Sequence, residues 1–238
     1  MLGFDTTIPV TINDMVHHTA AVRRGMPGCL VVADLPFGEA SLSFDRLLDS
    51  ARRLMQCGAD AVKIEGGKDI ADDIEKLVNE FSNFARMPRP VLKKINLNDV
   101  ILRSINFLKI SLKSKIFFKE NKKKNFIMGD EDQLYRVFIN IIKNAEESII
   151  EILNKKPKYE GKIEIDILTN KDYIISIIKD NGEGISDTKK VMTPYFTTKK
   201  KGTGLGLPIV NKIINEHSGE FIIKKDKGTT IEIWIPSI

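Results

Sequence analysis

The sequence predicts an α+β fold in two parts, on three observations. Residues 162–168 and 173–179 alternate apolar and polar positions around Thr169-Asn-Lys-Asp172, the period of a half-buried antiparallel hairpin. Amphipathic helices flank it, Asp130 to Leu153 before and Gly204 to His217 after, and a last hairpin, 220–225 and 229–235, turns at Asp226-Lys-Gly228. Upstream, the apolar runs Cys29–Asp34 and Ala61–Glu65 read as buried parallel strands on either side of a helix, a unit with right-handed crossover.

Composition divides the chain near Gly67. Residues 1–67 hold one lysine, three isoleucines and a net charge of −2; residues 68–238 hold 27 lysines, 31 isoleucines and a net charge of +7. A domain boundary alone rarely gives such contrast, so the sequence implies a fusion of two unrelated coding sequences. The net charge of +5 would point to nucleic acid only if concentrated among aromatic side chains, and here the lysines are dispersed. No run approaches the roughly 18 apolar residues of a membrane span, and the start lacks a signal-peptide pattern, so a cytoplasmic location is expected. Cys29 and Cys57 show no CxxC spacing and read as packing residues.

In chain order, the first part opens with a helix from Ile12 to Gly25, for which Asn13 or Asp14 is the expected N-cap. Leu47, Leu48, Ala51, Leu54 and Met55 then share one face of a helix that Gly58 closes. Lys68 to Arg86 is expected to be helical, with Ile70, Ile74, Leu77, Val78 and Phe81 on a stripe wide enough to need a partner, until Met87-Pro-Arg-Pro90 stops it. A helix from Leu97 or Asn98 to about Leu112 follows, then a hairpin expected to pair residues 115–119 with 125–128.

Three glycine-bearing or basic segments lie in fixed order: Asp180-Asn-Gly-Glu-Gly184, Pro194-Tyr-Phe-Thr-Thr-Lys199 and Gly202-Thr-Gly-Leu-Gly-Leu207, with Asn140 and Asn144 one helical turn apart upstream. Alone, each is an ordinary turn, loop or polar surface. Together they imply an ATP site. No Gly-Lys-Ser or Gly-Lys-Thr is present, which excludes the usual P-loop, and the last segment does not follow a strand, which argues against dinucleotide binding of the GxGxxG kind.

These boxes and the order of elements over residues 92–238 resemble the ATP-binding domain of sensor histidine kinases, in the wider group of gyrase B, Hsp90 and MutL. Residues 77–90 further resemble the second dimerisation helix of the nitrogen-regulation class. The resemblance implies a two-layer α/β sandwich over 92–238, a dimerisation-type helix over 68–91, ATP and Mg²⁺ as ligands, and a response regulator as downstream partner. Asn144 and Asn140 would then offer neutral amide oxygens to Mg²⁺, with Glu147 one turn further on. Asp180 would accept a hydrogen bond from the adenine amino group, beside Gly182 and Gly184, where the chain passes close to the base. Phe196 and Tyr195 would begin a lid, with Lys199 and Lys201 meeting the triphosphate. Gly202, Gly204, Leu205 and Gly206 would present backbone N–H groups at the next helix start, and Thr229 or Thr230 would close the adenine pocket.

Four segments of the first part, Gly3–Thr11, His18–Gly25, Val31–Phe37 and Val62–Gly67, resemble ketopantoate hydroxymethyltransferase, a Mg²⁺-dependent TIM-barrel family. The resemblance implies Asp5, Asp34 and Glu65 on the metal side and Thr6 and Lys63 on the oxo acid. It covers only a partial βαβαβ barrel over residues 1–67, which would leave open strand edges, so these positions are expected to be relics without transferase activity. The chain has three histidines, His17, His18 and His217. None is followed by the acid that a phosphoacceptor helix requires, and His217 reads as structural. ATP binding without efficient autophosphorylation is the resulting expectation, with self-association through residues 68–86.

Overall fold

The structure is a computed structural model that describes residues 5–75, 77–78, 87–120, 125–197, 199 and 204–238. It divides into two compact units, Met1–Met87 with Pro194–Leu205, and Pro88–Thr193 with Gly206–Ile238.

In the first unit, helix α1 (Ile12–Gly25) starts where expected, but its N-cap is Thr11. Asp14 N–H donates to Thr11 Oγ1 at 3.3 Å and Thr11 N–H to Asp14 Oδ2 at 2.9 Å, so Thr11-x-x-Asp14 forms a reciprocal capping box that neither Asn13 nor Asp14 alone could make. Strand β1 (Val32–Asp34), helix α2 (Phe44–Gln56) and strand β2 (Ala61–Lys63) give the expected crossover, with β1 parallel to β2 and Ala33 opposite Val62. Leu54 packs with Ile12, Ala33 and Ala59 on one side of α2. Leu47, Leu48 and Ala51, on the same face, pack in a second cluster with Ile70 and Leu77. The stripe beginning at Ile70, which the sequence left short of a partner, therefore finds one on α2 within the same unit. Residues 71–75 and 77–78 are helical; the rest of the expected helix lies outside the described residues.

The second unit is a five-stranded sheet with helices over it. Its order is β4 (Lys115–Lys119), β6 (Lys162–Thr169), β7 (Tyr173–Asp180), β9 (Thr229–Pro236) and β8 (Glu220–Lys225), with β4 parallel to β6 and the other neighbours antiparallel. Register aligns Ile165, Ile178 and Ile231, and beside them Ile167, Ser176 and Ile233. All of these are buried, which gives the sheet one closed apolar face. Helices α3 (Leu97–Leu108), α4 (Glu131–Lys155) and α5 (Gly206–Glu216) form the other layer, with α4 between its neighbours and over β6 and β7. Phe138, Ile141, Ile142 and Ile149 of α4 are almost wholly removed from water.

One expected pairing is wrong. Residues 115–119 do not form a hairpin with 125–128: β4 joins β6, while β5 (Phe126–Gly129) pairs antiparallel with β3 (Lys93–Asn96). Asn125 accounts for the difference. It is buried, its amide nitrogen donates to Asn98 Oδ1 at 2.7 Å, and its carbonyl accepts from Leu97 N–H at 2.9 Å, so the start of β5 is tied to the β3–α3 junction.

Asp130 joins three segments at the start of α4. Its Oδ1 accepts from Gln133 N–H at 3.1 Å, its Oδ2 from Val91 N–H at 2.9 Å, and its own N–H donates to His217 Nε2 at 2.9 Å. Burial pushes its carboxyl up, but the N–H groups of Val91, Gln133 and Asp132 outweigh that and hold it below its ordinary value. A depressed carboxyl contributes stability that is present above the unfolded value and is lost as pH falls through the folded one. Asp130→Asn should therefore flatten the acid limb of a denaturation series below about pH 4 and cost about 1 kcal/mol at neutral pH. An unchanged acid limb would contradict this.

Candidate nucleotide site

The site is built from α4, the end of β7, the β8–β9 turn and the start of α5, all in the second unit. Alternation along β7 puts Asp180 on the face of Ile174, Ser176 and Ile178, towards the helices, at the strand's last position. Asp180 Oδ1 accepts from Gly182 N–H at 2.8 Å and from Thr229 N–H at 3.3 Å. The carboxylate is thereby fixed by the loop that follows it and by the first residue of β9.

The glycines here answer to close approach. A Cβ on Gly182 would lie 2.3 Å from Ser148 Oγ and 2.8 Å from the Ser148 carbonyl carbon, so α4 touches this loop at its backbone. Gly184 has φ +77°, a left-handed conformation that favours glycine, and its Cβ would lie 2.8 Å from Gly228 O. A Cβ on Gly228 would lie 2.1 Å from Asp180 O. The loop is thus pressed between α4 on one side and the β8–β9 turn on the other.

Asn140 and Asn144 are half-buried on α4, and the start of α5 comes to both. A Cβ on Gly206 would stand 3.7 Å from Asn140 Oδ1 and 3.7 Å from Asn144 Nδ2. Gly206 is the first residue of an eleven-residue helix. Its first-turn N–H groups lack intrahelical partners, and Pro208 removes one donor where none is needed. Two amides and a positive helix end therefore share one corner, with chemistry suited to phosphate and a hard cation.

Glu147 stands on the exposed side of α4, whereas neighbouring Glu146 is buried and accepts from Lys113 N–H at 2.7 Å. Thr230 is buried and pairs with Lys179, while Thr229, also buried, makes the bond to Asp180. Phe196, Lys199, Gly204 and Leu205 belong to the first unit; Tyr195 N–H donates to Gly204 O at 3.0 Å and closes the base of that segment. Lys201 and Gly202 lie outside the described residues.

Two residues were missed in the sequence. Ser148 continues the spacing of Asn140 and Asn144 by one more turn, a signal that was present and unused. Gly228 was read only as a turn glycine.

The barrel-type residues are arranged differently. Asp34 ends β1, and Lys63 Nζ lies 3.3 Å from Asp34 Oδ2 and 2.9 Å from Glu65 Oε1. The bond from Lys63 holds the Glu65 carboxyl below its ordinary value. Asp5 and Thr6 are exposed. Asp34 and Glu65 thus converge on an ammonium group, and among the described residues no group of three or more His, Cys, Asp or Glu side chains could hold a metal ion.

A mixed five-stranded sheet under three helices is an α/β sandwich, here with an acidic strand end against the β8–β9 turn and paired amides against a helix start. Residues 129–238 match the family of histidine kinase-, DNA gyrase B-, and HSP90-like ATPases, and residues 1–81 match ketopantoate hydroxymethyltransferase. Sensor histidine kinase ZraS of Salmonella typhimurium is 32% identical over 176 residues, which are 71% of this chain and 36% of that protein. 3-Methyl-2-oxobutanoate hydroxymethyltransferase of Geobacillus sp. is 49% identical over 83 residues, 34% of this chain and 28% of that protein. Among solved structures, the catalytic domain of histidine kinase ThkA superposes with a TM-score of 0.53 and 26% identity, covering 61% of this chain and 97% of that one. ThkA in complex with response regulator protein TrrA gives 0.56 at 23% identity, covering 70% and 48%.

The C-terminal part is therefore the ATP-binding catalytic module of the sensor histidine kinase type, and the chain joins it to a hydroxymethyltransferase-like segment. The chain spans about a third of the length of these two curated relatives. The hydroxymethyltransferase match runs past Gly67 to residue 81. Among the described residues, no helix is long and apolar enough to cross a membrane.

Proposed function

We propose that residues 92–238 bind Mg-ATP and present its γ-phosphoryl group for transfer, that residues 68–91 are a dimerisation-type segment, and that residues 1–67 take no part in the chemistry. The approach of Gly206 to Asn140 and Asn144 carries this reading, because it joins cation ligands to an anion-binding helix end. Asn144, with Asn140 beside it, would hold the Mg²⁺, which neutralises phosphate charge when bound. Asp180 would accept from the adenine amino group while Gly182 and Thr229 N–H groups hold its other contacts in place. Phe196 and the lysines at 199 and 201 are proposed, from the sequence alone, as nucleotide-contacting residues.

Transfer onto the chain's own histidines is not supported. His217 is 3% exposed, with Nε2 accepting from Asp130 N–H and Nδ1 2.8 Å from Ile213 O, so both ring nitrogens are engaged. His17 and His18 stack edge to face on α1, a helix of the hydroxymethyltransferase-like segment. We therefore assign a response regulator as receiver only through an acceptor histidine supplied from outside residues 1–238. Self-association through residues 68–86 is narrowed by the burial of Ile70 and Leu77 against α2.

The test is incubation of the chain with Mg-ATP labelled in the γ-phosphate. The expected result is retention of label by binding but no acid-labile, base-stable covalent label. Histidine phosphorylation at an ordinary kinase turnover of about 1 per second or faster would overturn the proposal.

A further inference from the structure

Ser148 is polar, half-buried and placed where the adenine loop meets α4. Its Oγ accepts from Gly184 N–H at 3.3 Å, and its carbonyl accepts from Glu183 N–H at 3.4 Å. A Cβ on Gly182 would meet Ser148 Oγ, Cβ and carbonyl carbon all within 2.8 Å. The serine thus contacts each of the three residues from 182 to 184. The same loop is bound at its other end by Asp180 Oδ1, which accepts from Gly182 N–H at 2.8 Å. The last residue of α4 also reaches the loop, Lys155 Nζ donating to Glu183 Oε1, but that pair is exposed, whereas Ser148 meets the loop backbone.

We propose that Ser148 is a positioning residue: it fixes the height of the 180–184 loop on α4, and so aims Asp180 at the amino edge of a 6-aminopurine. This rests on the reading of Asp180 given above. A carboxylate held at that point rewards a 6-amino donor and opposes a 6-oxo acceptor, so the loop's position sets discrimination between ATP and ITP. Ser148→Ala removes the acceptor for Gly184 N–H without adding volume. The loop then loses its tie at Gly184 and keeps only the Glu183 N–H bond to the residue-148 carbonyl and the exposed Lys155–Glu183 pair, while the helix keeps its apolar face.

Calorimetric competition of Mg-ATP and Mg-ITP on the full chain, together with hydrogen exchange at the Gly184 amide, tests this. The parent should prefer ATP by at least about tenfold, the yield of one well-placed hydrogen bond. S148A should bring the two nucleotides within about threefold of each other and speed Gly184 exchange about tenfold, with thermal unfolding of the domain near that of the parent. A parent that prefers ATP and an S148A variant that prefers it equally would overturn the role of Ser148 alone. A parent with no preference would overturn the Asp180 reading, and this proposal with it. Should S148A not fold, the parent's Gly184 amide decides: protection supports the bond, and free exchange removes its basis.

Discussion

Asp180→Ala should weaken Mg-ATP binding by about 100-fold or more, the largest single effect expected in this chain. Two losses combine. The adenine amino group loses its charged acceptor, and the N–H groups of Gly182 and Thr229 lose the oxygen that joins the loop to β9. Leaving such donors unpaired costs about 1–3 kcal/mol each where water cannot replace the partner. The sheet should survive, because Ile174 and Ile178 carry its packing next to this position. Calorimetry gives the affinity and denaturant unfolding gives the stability. An affinity within about threefold of the parent would remove Asp180 from the site.

Gly228→Ala is expected to have the second largest effect, and here the cause is steric. The new methyl would sit 2.1 Å from Asp180 O and 2.9 Å from Asp180 Oδ1. The first of these is backbone, so relief requires either β7 or the β8–β9 turn to shift. Overpacking of this kind costs about 1–3 kcal/mol, and the shift would carry Asp180 with it. Both unfolding midpoint and ATP affinity should fall. Lys227→Ala, on the exposed neighbour in the same turn, should change stability by less than about 0.5 kcal/mol. Equal behaviour of the two variants would mean that the close approach is not part of the native site.

Much of this fold was legible because its signals are local. The 162–169 and 173–180 strands, α4 and α5 each announce themselves by period, since one face of each is buried against the other layer. The glycine boxes were legible because three of them stand in order. Pairing was less legible: residues 115–119 and 125–129 look like a hairpin, and only the buried Asn125 contacts show why β5 goes to β3. Local pattern says that a strand has an apolar face, not which strand lies beside it. The stripe at Ile70 and Leu77 was read correctly as needing cover, yet the covering helix α2 lies in the segment that composition sets apart. Ser148 and Gly228 escaped for a similar reason. Each matters through a neighbour distant in sequence, Gly184 for one and Asp180 for the other.

The joined segments also differ in how their candidate site residues are arranged. In the hydroxymethyltransferase-like part, Asp34 and Glu65 both turn to Lys63. In the kinase-type part, Asp180 meets the β8–β9 turn, and Asn140 and Asn144 meet the start of α5.

The most direct measurement is calorimetric titration of the full chain with ATP in the presence of Mg²⁺ and again with the cation chelated. One saturable site per chain, weakened at least about tenfold by chelation, is the predicted result. No saturable binding of ATP at millimolar concentration would contradict the assignment of the second unit as an ATP-binding module.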